Sequence, residues 1–360
     1  MECAMNYRTL LLARESRGLT QKQLAELVPN LNQGNYSKME KGLISIPKET
    51  LDKVADVLEY PVSFFYKDSQ HDPVSSFYYR KRMTMTQKDL SMLESKLDIM
   101  RMVVDSLVDR LDIPSFDIPS IESSDAISIA EIAQRIRWFL KIPKGPITNL
   151  INSLEKHGVI VHMIDDVPDK FDGITMFTNK SQPIIFINND KSNDRKRFTI
   201  GHELGHLVMH LRGNFYDLSE KDIDREADEF SSEFNMPANE CKRDLMYLNY
   251  NKLPSIKMYW RMSKAAILYR AKTLGTLTDS QYRYFNMQLS SSGQRKKERE
   301  EVDLDKPLLL TKIIEAYIKE LNYTKEEICD LVGLNRVDFD NYFFNISHKS
   351  IEFKPKVNLY

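Results

Sequence analysis

Two histidines four residues apart, with a glutamate beside the first, are the residues of this chain best suited to chemistry: His202-Glu203-Leu204-Gly205-His206. On a helix, positions i and i+4 share a face, so both imidazoles can reach one metal ion. Glu203 then stands where a carboxylate acts on water at the metal instead of binding the metal itself. The chemistry such a set performs is metal-assisted peptide hydrolysis, and the expected metal is zinc, one ion per chain. A zinc site of this type needs a third protein ligand and an open position for water.

Candidates for that ligand lie in the stretch from Asp222 to Pro237. Plotted at about 100° per residue, Asp224, Ala227, Asp228, Ser231 and Phe234 share one face. Arg225, Glu226, Glu229, Ser232 and Glu233 occupy the other, which reads as the solvent face. Asp224, pointing inward with small and apolar residues, is therefore the expected third ligand. Asp228, one turn on, is expected to accept a hydrogen bond from a ligand histidine and fix its tautomer. Glu226 is the second choice as ligand, and a solvated helix-surface charge is its simpler reading. His210 lies one turn past His206 on the same side and reads as a supporting or packing residue beside the site. His157 and His162 read as structural.

The elements that must position these groups are legible nearby. Val159–Ile164, Gly173–Phe177 and Gln182–Asn188 read as short strands between turn residues. The polar run Asp190 to Arg197 reads as a turn, with Thr199 the N-cap of the histidine-bearing helix. A small sheet followed by the active-site helix is the order of a zincin. Trp138 and Trp260 are expected in the core.

Residues 172 to 237 resemble the ImmA/IrrE family of metallopeptidases. The likeness rests on Arg197-Phe198-Thr199 before the His-Glu-Leu-Gly-His run and Leu207-Val208-Met209-His210 after it. The helix with Ala227-Asp228 and Phe230, ending in Met236-Pro237, completes it. In that family the third ligand is usually a glutamate at the position of Asp224, so the side chain here is one methylene shorter. Helical segments Ile129–Leu140 and Gly145–Leu154 resemble the start of the peptidase domain in proteins that fuse it to a DNA reader, extending the likeness to about 128–271. The resemblance implies a substrate of the Xre repressor type, with cleavage of the chain itself left open.

The N-terminal residues 5 to about 66 read as five short helices. Thr20 caps the second, Gly42 ends the third, and Pro47 and Pro61 open the last two. Two helices joined by a short turn, the second bearing Gln, Asn and Lys near its start, describe a helix-turn-helix. The segment resembles the Xre/Cro type of DNA-binding domain through Leu19-Thr20-Gln21, Leu24-Ala25, Ser37-Lys38-Met39-Glu40-Lys41-Gly42, Pro47 and Leu51. That resemblance implies that Gln21 anchors a phosphate of a double-stranded DNA operator and that Gln33, Asn35 and Lys38 face bases. Lys22 and Tyr36 complete the expected DNA-facing set, and the resemblance also implies that Arg14 pairs with Glu40. The rival reading is a helical bundle for protein contact, since basic and acidic side chains balance over residues 1 to 60 and counterion release from one copy is small.

Between the two modules, Leu90, Leu93, Leu97, Met100, Val104, Leu107 and Leu111 form a heptad-like stripe. It is open to two readings: a coiled coil over 88–111 making a homodimer, or packing on the chain's own peptidase domain. Phe77-Tyr78-Tyr79-Arg80-Lys81-Arg82 is basic and aromatic, and reads as lying along an interdomain surface. Residues 289–306 carry mixed charges and read as a solvated linker. Beyond it, two or three helices, one opened by the capping box Thr324 to Glu327, read as a partner-binding accessory domain.

The 360 residues carry a net charge of −1, which excludes a grossly basic nucleic-acid binder but not a local basic face. No apolar run approaches the roughly 20 residues of a membrane span, and Cys3, Cys241 and Cys329 read as reduced thiols. A cytoplasmic protein without membrane contact is expected. The expected fold class is α+β, mostly α. Its parts are a five-helix reader (1–67), a helical connector (68–124), a zincin-like domain with a small sheet (125–288), the linker (289–306) and a C-terminal helical region (307–360). Function follows as a transcriptional regulator with a zinc-dependent endopeptidase domain. The alternative is a regulator whose peptidase-like domain senses metal or ligand, or binds a partner in the manner of an antitoxin, without cutting.

Overall fold

The site-bearing region is organised by one three-stranded mixed sheet, β1 (Ile160–Ile164), β2 (Gly173–Phe177) and β3 (Pro183–Asn188), in the order β1-β3-β2. β3 is central, parallel to β1 with Ile160 opposite Ile184, and antiparallel to β2 with Gly173 opposite Ile187. Successive side chains of a strand leave on opposite faces, and here they sort into two cores. Ile160, Ile164, Ile174, Met176, Ile184 and Phe186 join one; Val161, Met163, Ile185 and Ile187 join the other. Both faces are therefore buried, which is why the strands read as near-continuous apolar runs. The computed structural model describes residues 4–67, 85–121, 126–211 and 220–344. The Phe77 to Arg82 stretch lies outside the described residues, as do Cys3, His71 and His348.

The architecture is mostly helical with this small sheet, as the sequence predicts. The N-terminal module comprises α1 (Tyr7–Ser16), α2 (Gln21–Leu27), α3 (Gln33–Glu40), α4 (Lys48–Leu58) and a 3-10 turn over Val62–Tyr66. Its core is Leu10, Ala13, Leu24, Tyr36, Leu51, Val54, Leu58 and Phe64. α5 (Gln87–Val108) packs on α1, and its Leu90, Leu93, Leu97, Met100, Val104 and Leu107 are all buried. Among the described residues the heptad stripe is buried within the chain, by α1, the C-terminal helices and one sheet face, in line with the packing reading.

α14 (Leu309–Lys319), α15 (Lys325–Val332) and α16 (Arg336–Phe343) close over the same core. The Thr324–Glu327 capping box forms as expected. These helices bridge the reader and the sheet. Arg17, at the C-cap of α1, makes a two-point contact with Asp338 at 3.0 and 2.5 Å, Lys67 reaches the Leu331 carbonyl at 2.6 Å, and His162 of β1 meets the Tyr342 carbonyl at 2.8 Å.

Two expectations fail in the remaining part. Trp138 is 83% exposed, whereas Trp260 is buried and donates Nε1–H to Asp244 at 2.9 Å. Trp138 lies on the outer side of α6 (Ile129–Phe139), whose Ile132, Ala133 and Ile136 take the inner side. The supposed solvated linker after α13 (Asp279–Ser291) is instead docked. Glu298 pairs with buried Lys257 at 2.9 Å, Glu300 with buried Lys264 at 2.5 Å, and Gln294 and Val302 are buried. Two of its acids thus pair with buried lysines of α11 (Leu253–Trp260) and α12 (Lys264–Thr273), while Arg295, Lys296, Lys297, Arg299 and Glu301 stay exposed, a mixture that composition alone reads as wholly solvent-facing.

Candidate metal centre and DNA-reading face

The histidine helix α8 (Asn193–Met209) begins seven residues earlier than Thr199 as N-cap suggests, with Ser192 at the N-cap position. The charged run that reads as a turn is helical because its charges have partners. Asp194 pairs with buried Lys257, Arg195 grips Asp172 at 2.8 and 2.9 Å, and Lys196 reaches Asn189 at 3.0 Å.

α8 lies antiparallel against α9 (Glu220–Asn235), and two glycines set how close they come. A Cβ at Gly201 would lie 2.6 Å from Ser231 Oγ and 2.7 Å from Asn235 Nδ2; one at Gly205 would meet Phe230 at 3.1 Å and the Ala227 backbone at 3.3 Å. Glycine in a helix interior costs roughly 0.5–1 kcal/mol relative to alanine, and the close packing it permits brings the carboxylates of α9 to the histidines of α8. The far end of α9 is fixed by two buried arginines that satisfy helix-terminal carbonyls. Arg137 donates to Phe234 O at 2.7 Å and Arg270 to Met236 O at 3.0 Å, and Arg270 also pairs with Glu233. Glu233, assigned to the solvent face above, is therefore buried in an ion pair.

Across this interface the structure brings His202, His206 and Asp224 together, one ligand atom from each lying within 4.8 Å of the others. The two Nε2 atoms are 2.9 Å apart, and Asp224 Oδ1 stands 3.7 Å from His206 Nε2. Around a tetrahedral ion with metal–nitrogen distances of about 2.0–2.1 Å, ligand atoms lie about 3.3 Å apart. The hydrogen bonds behind the rings matter more. His202 Nδ1 meets Asp228 Oδ1 at 2.8 Å, and a carboxylate only accepts, so this nitrogen carries the proton and Nε2 the lone pair. His206 Nδ1 meets His210 Nδ1 at 3.1 Å, and His210 Nε2 meets Glu226 Oε2 at 3.0 Å. A proton on His210 Nε2 leaves its Nδ1, when the ring is neutral, to accept from His206. His206 Nε2 then also presents a lone pair. Two lone pairs face each other at 2.9 Å, with a carboxylate oxygen alongside, and a shared cation satisfies all three. The residues present fit a divalent metal.

Asp228 sits where the helical periodicity places it, behind His202. Glu226 does not: it is neither part of the three-residue cluster nor a solvated surface charge, but the partner of buried His210. His210 occupies the C-cap of α8, where the chain leaves helical geometry, so a plot of α9 alone does not reveal this contact.

Glu203 is buried, and its Oε2 accepts the Thr175 hydroxyl at 2.9 Å. Thr175 belongs to edge strand β2 and escaped the sequence reading, since nothing in the strand pattern marks one threonine over another. β2 approaches α8 closely because residue 173 is glycine; a Cβ there would lie 2.8 Å from Thr199 and 2.9 Å from the Phe186 carbonyl. The upstream histidines stay apart from this cluster. His157 pairs with Asp117, and burial pushes His162 down to about 4, so it is neutral.

On the reader, Gln33, Asn35 and Lys38 project from α3 into solvent, as does Lys22 from α2. The Arg14–Glu40 pair forms with two hydrogen bonds, at 2.7 and 3.1 Å. Gln21 is drawn into it, donating Nε2–H to Glu40 at 2.5 Å and accepting from Gln33 at 3.3 Å. The phosphate anchor implied for its side chain is thus engaged elsewhere. Tyr36 is a correction: it is fully buried and its ring fills the core, so it cannot face DNA.

Two family models match the chain, each over part of its length. Residues 10–65 match a helix-turn-helix family, and residues 154–272 match the IrrE N-terminal-like domain of a peptidase family. The chain joins these two modules. The second match contains the sheet, α8, α9 and every residue of the candidate metal centre. The helix-turn-helix match spans α2 and α3, with the exposed polar side chains of Lys22, Gln33, Asn35 and Lys38. No curated protein and no solved structure matches the chain significantly. No helix among the described residues is long and apolar enough to cross a membrane.

Proposed function

We propose that this DNA-binding regulator carries a zinc-dependent endopeptidase, with His202, His206 and Asp224 as metal ligands and Glu203 as general base. The observation that carries the reading is the approach of the two Nε2 atoms to 2.9 Å, with Asp224 Oδ1 3.7 Å from that of His206. Zinc, when bound, would supply Lewis acidity that polarises the scissile carbonyl and acidifies water. Glu203 takes the proton of the attacking water at a carboxylate oxygen and returns it to the leaving amine nitrogen. Thr175 holds that carboxylate from the strand side. Edge strand β2 gives a peptide a backbone to pair with beside the site, which supplies affinity with little sequence reading. The substrate class is a repressor-type helix-turn-helix protein, and this chain, carrying such a module, is itself a candidate. Gln33, Asn35 and Lys38 of α3, with Lys22, read the operator.

The test is a mass spectrum of the zinc-loaded chain, incubated alone and with a repressor-type protein, for wild type and Glu203→Gln. Cleavage by wild type and not by the variant supports the proposal. Equal product from both removes Glu203 as the base, and zinc-loaded wild type that cuts neither itself nor the repressor favours the sensing alternative.

A further inference from the structure

The two histidines of the metal centre are supported in different ways. His202 rests directly on Asp228, an exposed carboxylate. Behind His206 Nδ1 stands His210, and behind His210 stands Glu226. The three rings follow one another at i, i+4 and i+8, with centroids 4.6 and 5.3 Å apart. His210 is 3% exposed and the Glu226 side chain 15%, so this support is more enclosed than that of His202.

We propose that Glu226 and His210 are positioning residues for the metal centre, which set its zinc affinity without touching the ion. The inference rests on reading His202, His206 and Asp224 as a cation site. Its logic is one of hydrogen-bond direction. The Glu226 carboxylate accepts and does not donate, so it holds the proton of His210 on Nε2. With that proton fixed, the other ring nitrogen accepts from His206 Nδ1–H, and the His206 lone pair is directed at the ligand cluster. Remove the carboxylate and the His210 ring is free to take the other tautomer. Its Nδ1–H would then face His206 Nδ1, forcing the His206 proton onto Nε2, where it blocks the metal. The relay also restrains the plane of the His206 ring, because buried His210 is itself held by Glu226. Partners behind a ligand histidine typically change metal affinity by about 10–100-fold when removed.

The test uses the full chain and zinc itself, with the dissociation constant measured by competition against a chromophoric chelator. Circular dichroism and thermal melting of each metal-free protein are recorded alongside. Glu226→Leu and His210→Phe are expected to weaken zinc binding by about 10–100-fold, with metal-free melting close to wild type. Glu226→Gln is expected to retain most of the affinity, because its side-chain carbonyl still accepts from His210 Nε2–H. Glu226→Leu binding zinc within twofold of wild type overturns the relay, as does Glu226→Gln being as damaging as leucine. Affinity losses that track loss of helix content in the metal-free proteins also overturn it, leaving a packing role. Failure of wild type itself to bind zinc would instead remove the metal-centre reading on which the inference stands.

Discussion

Thr175 of β2 donates its hydroxyl to Glu203 of α8 at 2.9 Å, so the edge strand and the histidine helix are joined at the residue proposed as base. Thr175→Val keeps the shape and removes the donor, leaving a buried carboxylate oxygen without it. The expected cost is about 1–3 kcal/mol of stability, read by denaturant unfolding, together with slower proteolysis. Thr175→Ser should recover both. A valine variant as stable and as active as wild type would show that this contact does nothing for the site.

The glycines of α8 give a second expectation. Gly201→Ala places a methyl 2.6 Å from Ser231 Oγ, a hydroxyl already bonded to the Phe198 carbonyl. Because Ser231 and Asn235 are both buried, α9 must move outward, carrying Asp224 with it. Overpacking of this kind costs about 1–3 kcal/mol, and zinc affinity should fall with it. An alanine variant with unchanged melting and zinc binding would refute the close-approach account.

Acid sensitivity is expected from His162. Burial holds it at about 4, against about 6.5 in an unfolded chain. The folded value is depressed, so the contribution is whole above pH 6.5 and is lost as pH falls through 4. Between pH 7 and 4.5 this one group should remove roughly 2–3 kcal/mol of stability. His162→Gln, which can still donate to Tyr342 O, should flatten the pH dependence of unfolding by that amount; an unaltered slope would exclude His162 as its source.

On the reader, Lys38→Ala is expected to lower the salt slope of DNA binding by about 1, while Gln33→Ala relaxes sequence preference. Tyr36→Phe should leave DNA affinity unchanged, since the ring is buried and its hydroxyl has no hydrogen-bond partner. Fluorescence anisotropy across a salt series separates these outcomes. A loss of affinity in Tyr36→Phe alone would restore that residue to the DNA face.

Much of this was legible because the signals are periodic. The strands over 159–188 follow from apolar runs bounded by turn residues, and Asp224 and Asp228 from the spacing of α9. What escaped depends on contacts between elements. Glu226 and Glu233 share the wheel face of exposed Arg225 and Glu229, and only His210 and Arg270 reveal that both are engaged. The start of α8 was misplaced because Asp194, Arg195 and Lys196 read as loop residues until their partners on other elements are seen. Tyr36 and Trp138 failed in opposite directions, since one aromatic on a short helix does not tell which side faces the core. The α5 stripe was read correctly as apolar, but periodicity does not choose between burial within the chain and burial against a copy.

The most direct test of the metal centre is the zinc content of the purified full chain, measured by elemental mass spectrometry for wild type, His206→Ala and Asp224→Ala. One zinc per wild-type chain, lost from His206→Ala and sharply reduced in Asp224→Ala, is the expected result. Wild-type protein that takes up no zinc, or an Asp224→Ala protein that holds a full equivalent, would contradict it.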